Sequence, residues 1–232
     1  MPPDRRLAQW RPQVQCQAMN TQTHLLLASA LFARPGRENR LRNAAVICGA
    51  LLPDAVIFVM FAWSKLIGTP ESEVWSDWYF NPPWLTAIDW MNSLPLFGMI
   101  LLAGWMLPKD PPASNLLSSV LMLFALAAIT HLLGDLPFHV DDGHAHFVPL
   151  TEWRFVSPVS YWDPRHYGNI VALLELGLGL MLIIVLWRRF TGRLVRALLG
   201  LAVVSYAVPY VWFVLLGGHS DHFAALGQTA AI

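Results

Sequence analysis

Four runs of apolar residues, each close to twenty long, dominate this chain: 44–63, 88–107, 115–136 and 169–187. A hydrocarbon layer about 30 Å thick offers no water to peptide groups, so a run of about 20 residues that crosses it must satisfy its own backbone as an α-helix. A fifth run, 197–217, carries no charged residue at all. Segment 22–33 is too short to span alone and reads as re-entrant or half-crossing. With 56% hydrophobic and 13% charged residues in 232, the composition is that of an integral membrane protein. The expected fold is all-α: a polytopic membrane helical bundle of five to six segments, with residues 19–232 forming one membrane-embedded domain.

Charge bounds the partners. Lys plus Arg equals Asp plus Glu at 15 each, so nothing in the balance argues for nucleic acid, and the lipid bilayer is the expected environment. Residues 1–18 hold Arg5, Arg6 and Arg11 among Pro and Gln without the apolar core of a signal peptide. They read as a disordered tail, or as sequence upstream of a start at Met19. Cys16 and Cys48 carry no disulfide spacing.

Basic residues near span ends favour the cytoplasm. Arg34, Arg37, Arg40 and Arg42 form one cluster and Arg188, Arg189, Arg193 and Arg196 another, with four apolar runs between them. Both clusters can then be cytoplasmic, and loops 64–87 and 137–168 face outward. Those loops are rich in Trp75, Trp78, Trp84, Trp153, Tyr161 and Trp162, as interfacial aromatic belts are. Gly98, Gly104, Gly177 and Gly179 suit close helix packing in a bilayer.

Against this apolar background stand ionisable residues. Such groups are expensive at membrane depth and are functional candidates for that reason. His131 and Asp135 are four apart and share one helix face. At about 1.5 Å per residue, His24 and Asp54 each lie about 15 Å from the inner end of their segments, and His131 about 24 Å. Asp89 and Asn92, about 27 and 22 Å from Leu107, also reach the outer half by that rise. Tilt and a break expected at Pro53 would let these groups meet in a cavity open to the outer side. Imidazole and carboxylate suit zinc or a similar divalent metal, so His24, Asp54, His131 and Asp135 form the expected ligand set. The alternative is four separate polar groups satisfied by hydrogen bonds between helices. His139 continues the spacing from Asp135 and is the best additional metal-ligand candidate, although Pro137 is expected to interrupt the helix first.

His144 and His146 read as wetted loop residues, and His219, Asp221 and His222 as a frayed, solvated end. Asp89 and Glu175 are the candidate proton acceptors; Glu175 reads equally as an orienting partner or as a group hydrogen-bonded to a neighbouring helix. The Cys/His spacing of a zinc finger and the acidic spacing of an EF-hand are missing. So are a nucleophile elbow and a phosphate-binding glycine loop.

Taken in order, Asn20-Thr21-Gln22-Thr23-His24, Gly49-Ala50-Leu51-Leu52-Pro53-Asp54 and His131-Leu132-Leu133-Gly134-Asp135 resemble the successive signatures of a bacterial inner-membrane metal-dependent hydrolase family, one of whose members is LexA-regulated. The stretch from Trp153 to Gly168 resembles a recurrent segment of membrane proteins in the same group. The resemblance covers residues 19–190 and rests on the order of the motifs. It implies metal ligation by His24, Asp54, His131 and Asp135, and hydrolysis as the activity. The H-x-x-x-D pattern is also similar to one that holds zinc in phospholipases C and single-strand nucleases. A departure stands at Asn92, where many members carry histidine before serine; one imidazole for a second metal is missing.

The expected function is hydrolysis of an ester or phosphoester, lipid-linked if the site opens near the outer leaflet, by a multi-pass protein of the bacterial inner membrane. An ion- or proton-binding transporter is the rival reading, since intramembrane His and Asp also mark ion pathways. A non-catalytic assembly factor with a vestigial metal site is the third.

Overall fold

The computed structural model describes residues 21–140, 142–161, 163–209 and 211. The tail 1–18, Met19 and Asn20, Asp141, Trp162, the end of the fifth apolar run, and His219, Asp221 and His222 lie outside the described residues. Those described form helices and loops with no strand. Three helices are long and apolar enough to cross a membrane, within Arg37–Ile67, Pro112–Phe138 and Gly168–Arg189, or up to four if one bent pair makes a single span. Five to six such helices are therefore more than the described residues contain.

The chain divides into two compact units, 1–159 and 160–232. In the first, α1 (Thr21–Phe32), α2 (Arg40–Ile67), α5 (Leu94–Met106) and α6 (Pro112–Asp135) form the bundle, with α2 and α5 both packed along α6. Two short helices, α3 (Glu71–Ser76) and α4 (Trp84–Met91), fill the connection between α2 and α5. The second unit contains α7 (Gly168–Arg189) and α8 (Arg193–Pro209).

Lipid tails are as apolar as leucine, so helices in a bilayer associate by close packing rather than by leaving water. The residues between α1, α2 and α6 are accordingly small: Ala28, Val46, Ala50 and Ala127 are fully buried together. Gly49 allows a close approach, because a Cβ there would lie 2.1 Å from the backbone oxygen of Phe124 on α6. Gly104 of α5 meets α6 in a similar way, and Gly179 of α7 meets Tyr206 of α8. Gly98 and Gly177, expected to pack, face open space instead. The large side chains point outward: Phe58, Val59, Leu102, Trp105 and Leu117 are all at least half exposed, as a lipid-facing surface requires.

Two expectations about helix continuity reverse. Pro53 does not break α2, which runs through it from Arg40 to the left-handed Gly68 at φ 76°. A proline removes one hydrogen bond, and neighbouring packing carries the helix past it. The apolar run 88–107 is broken instead, with α4 and α5 bent by 41° at Asn92 and Ser93. Ser93 caps α5 by accepting the Leu96 N–H at 3.1 Å, and Pro95 sits in the first turn, where its missing N–H costs nothing.

The peptide groups released by this break bind the loop that follows α6. The Leu94 N–H donates to the His146 carbonyl at 2.8 Å, and the Ser93 hydroxyl donates to the Val148 carbonyl. Loop 139–159 is thus stitched onto the broken helix. Trp75, expected at an interface, is buried against Met60 and Val74, while Trp153 is exposed.

Candidate metal centre

α1, α2 and α6 bring four of the expected residues together. His24, one turn into α1, has Nε2 2.8 Å from Asp135 Oδ1; His131 Nε2 lies 3.0 Å from Asp135 Oδ2 and 3.4 Å from Asp54 Oδ1. The two imidazoles stack with centroids 3.7 Å apart, so both Nε2 edges face the same carboxylate. His24, His131 and Asp135 are buried and form the compact group: each offers a ligand atom within 4.8 Å of the others. They can hold a metal ion. Asp54 and His139 flank this group. Asp54 is partly exposed and its Oδ2 accepts the Thr21 hydroxyl at 2.5 Å, while His139 Nε2 stands 4.0 Å from Asp135 Oδ1.

The tautomer of His131 follows from its other nitrogen. Nδ1 lies 2.7 Å from the Ala50 carbonyl, which can only accept, so Nδ1 carries the proton. In a neutral ring Nε2 then presents a lone pair to two carboxylates. Lone pair against lone pair at 3.0 and 3.4 Å is repulsive until a cation sits between them. A proton on Nε2 would need an oxygen along the N–H axis, yet neither His24 Nε2 nor His131 Nε2 makes a hydrogen bond of proper geometry despite the near carboxylates. A metal ion can meet the requirement, as a proton shared in a His–Asp ion pair can. Bonds of about 2.1 Å place neighbouring ligand atoms roughly 3.0 to 3.4 Å apart, close to the spacings seen. Two carboxylates with neutral imidazoles also balance the charge of a divalent ion, which matters where water is scarce.

Beyond Asp135 a short 3-10 turn, Leu136–Phe138, carries the chain to His139. His144 and His146, expected to be wetted, are each only 3% exposed. Their ring centroids are 5.8 Å apart, and those of His139 and His144 5.0 Å. Burial, together with the neighbouring His139, pushes both His144 and His146 below the usual imidazole range. Burial pulls His139 the same way, but Asp142, 3.1 Å from Nδ1, and then Asp135 hold it above that range. The loop's polarity does not bring exposure, because the broken helix supplies partners that bury it. His146 Nδ1 bonds to the Asn92 carbonyl at 3.1 Å.

Asp89 is held on both oxygens. Oδ1 accepts the Ala145 N–H at 3.0 Å and Oδ2 pairs with Arg154, whose other nitrogen bonds the Gly143 carbonyl at 2.7 Å. The arrangement makes Asp89 a clasp for loop 139–154. Asn92 donates to the Ile88 carbonyl at 3.0 Å and to that of Pro53 at 3.4 Å, joining α4 to α2 where a histidine was absent by the resemblance. Glu175 is buried on α7 in the second unit.

Sequence reasoning gave no role of their own to Thr21, Ala50 and Arg154. Thr21 had a signal, a hydroxyl three residues before His24 on the same helix face. A backbone carbonyl and an arginine 65 residues from its carboxylate left none. No protein-family model matches the chain, and neither a curated protein nor a solved structure matches it.

Proposed function

We infer that this is a multi-pass protein of the bacterial inner membrane that binds a divalent cation, zinc by its nitrogen and oxygen donors, and hydrolyses an ester or phosphoester, lipid-linked in the natural substrate. The observation that carries the reading is His131, whose Nδ1–H is committed to Ala50 while Nε2 faces Asp135 and Asp54. His24, His131 and Asp135 hold the ion, and Asp54 completes the set from its partly exposed position. When bound, the cation supplies Lewis acidity for hydrolysis at neutral pH. Thr21 fixes the second oxygen of Asp54, so that Oδ1 is kept toward the centre. The Ala50 carbonyl orients His131, the kind of outer contact whose loss costs about 10- to 100-fold in metal affinity.

Membership in the hydrolase family that the motifs resemble rests on the order of the sequence signatures. Substrate access from the outer leaflet rests on the distribution of arginines. The test is a screen of ester and phosphoester lipids with purified zinc-loaded protein in detergent, beside Asp135→Asn. Metal-dependent turnover that falls at least about 10-fold in Asp135→Asn supports the reading. A fully metallated wild type that hydrolyses none of them favours the assembly-factor reading, to which the structural bonds of Asn92 already lend support.

A further inference from the structure

The opposite end of the bundle from the break holds a cavity of about 520 Å³ between α1, α2 and α6. Its floor is apolar, with Phe32, Met122 and Leu126, and its rim carries Arg34, Arg42 and Asn43. Neither arginine forms an ion pair with any of the described residues. Arg42 is only partly exposed, and no carboxylate among the described residues pairs with it. Residues 34–43 contain four arginines and one carboxylate, Glu38, whose Oε1 accepts from the Asn39 side chain at 3.1 Å.

The rim is fixed rather than loose. Asn43 accepts the Arg34 N–H at 3.0 Å and donates to the Arg34 carbonyl at 2.7 Å, tying the end of α1 to the first turn of α2. Asn39 adds a bond to the Pro35 carbonyl at 2.9 Å. These bonds fix the backbone from which the exposed Arg34 side chain extends at the cavity's edge.

A phosphate matches two guanidinium forks that have no ion pair among the described residues, and an acyl chain matches the apolar lining. We propose that this cavity binds an anionic phospholipid, its headgroup phosphate between Arg34 and Arg42 and one chain along Phe32, Met122 and Leu126. A basic pocket between membrane helices is a physically favourable lipid site, because charge and apolar contact are satisfied by one molecule. The cavity shares no lining residue with the metal centre.

The full-length protein in an uncharged detergent is titrated with phosphatidylglycerol, phosphatidylcholine or inorganic phosphate, following bound lipid by native mass spectrometry and the unfolding temperature. Phosphatidylglycerol is expected to bind and stabilise, the other two not. The Arg34→Gln/Arg42→Gln pair should weaken binding about 30-fold, from the usual contribution of two surface arginines. Arg37→Gln/Arg40→Gln removes the same charge outside the cavity, where no contact with the headgroup is made and salt screens the field, and should change binding less than about 3-fold. Should the arginine pair at the rim fail to fold, Ser119→Trp, a cavity-wall position bonded only to the Asn115 carbonyl, fills the space and should abolish binding with all charges kept. Equal binding of phosphatidylcholine, equal loss in the two arginine pairs, or retained binding in the Ser119 variant overturns the proposal. Protection by inorganic phosphate matching that by the lipid overturns the lipid assignment and leaves a soluble anion.

Discussion

One proton, that on His131 Nδ1, sets the character of the whole cluster, and it is placed by the Ala50 carbonyl next to the close contact of Gly49 with α6. Gly49→Ala puts a Cβ 2.1 Å from the Phe124 oxygen, so α2 must move from α6 and take Ala50 with it. Overpacking of this kind costs about 1–3 kcal/mol. Displacing the carbonyl should also weaken metal binding about 10-fold. Thermal unfolding in detergent and a competitive zinc titration measure the two; a loss of stability with unchanged zinc affinity would separate the carbonyl from the site. His24, His131 and Asp135 were legible in the sequence because ionisable groups inside apolar runs have few reasons to be there. The burial of His144 and His146 was not legible there, since local polarity cannot reveal that a helix break elsewhere buries a loop.

The broken helix α4–α5 is the element that gives loop 139–159 its place. Hydropathy over 88–107 reported composition and missed it, although Ser93 followed by Pro95 is a helix-start signal inside the run. Ser93→Ala should cost about 1 kcal/mol as a lost cap, and more if the Val148 contact goes with it. Arg154→Gln releases the clasp on Asp89 and Gly143. Limited proteolysis should then cut within residues 140–156 at least about 10-fold faster, with bound metal retained, since loops open when their few tying bonds are lost. Equal protection would assign the loop's order to other bonds. In the second unit, Asp163 caps the 3-10 turn Pro164–His166, and its bonds to Arg165 hold its carboxyl down at about 2. A folded-state pKa below the usual value contributes stability that is present above about pH 4 and lost as pH falls through about 2. Asp163→Asn should therefore flatten the acid limb of the unfolding curve in that window; an unchanged limb would contradict the pairing.

At the scale of the molecule, the apolar runs 44–63, 115–136 and 169–187 were readable because length and composition alone define a candidate span. How many segments cross is decided by whether α4 and α5 act as one span, which composition does not encode. Single cysteines at Glu73 and Glu152 should react with an impermeant reagent from outside, and one at Arg37 only after the inner face is opened, if the arginine clusters are cytoplasmic. The reverse pattern would move the proposed substrate to the other leaflet while leaving the metal site untouched. The central claim is that His24, His131 and Asp135 hold a divalent ion, and elemental analysis of the detergent-purified protein after zinc loading and gel filtration tests it most directly. Wild type should retain about one ion per chain, while Asp135→Asn, which keeps the shape but removes the charge both imidazoles face, should lose affinity at least about 10-fold. A folded wild type that cannot be loaded, or an Asp135→Asn protein that binds as tightly, would contradict the account.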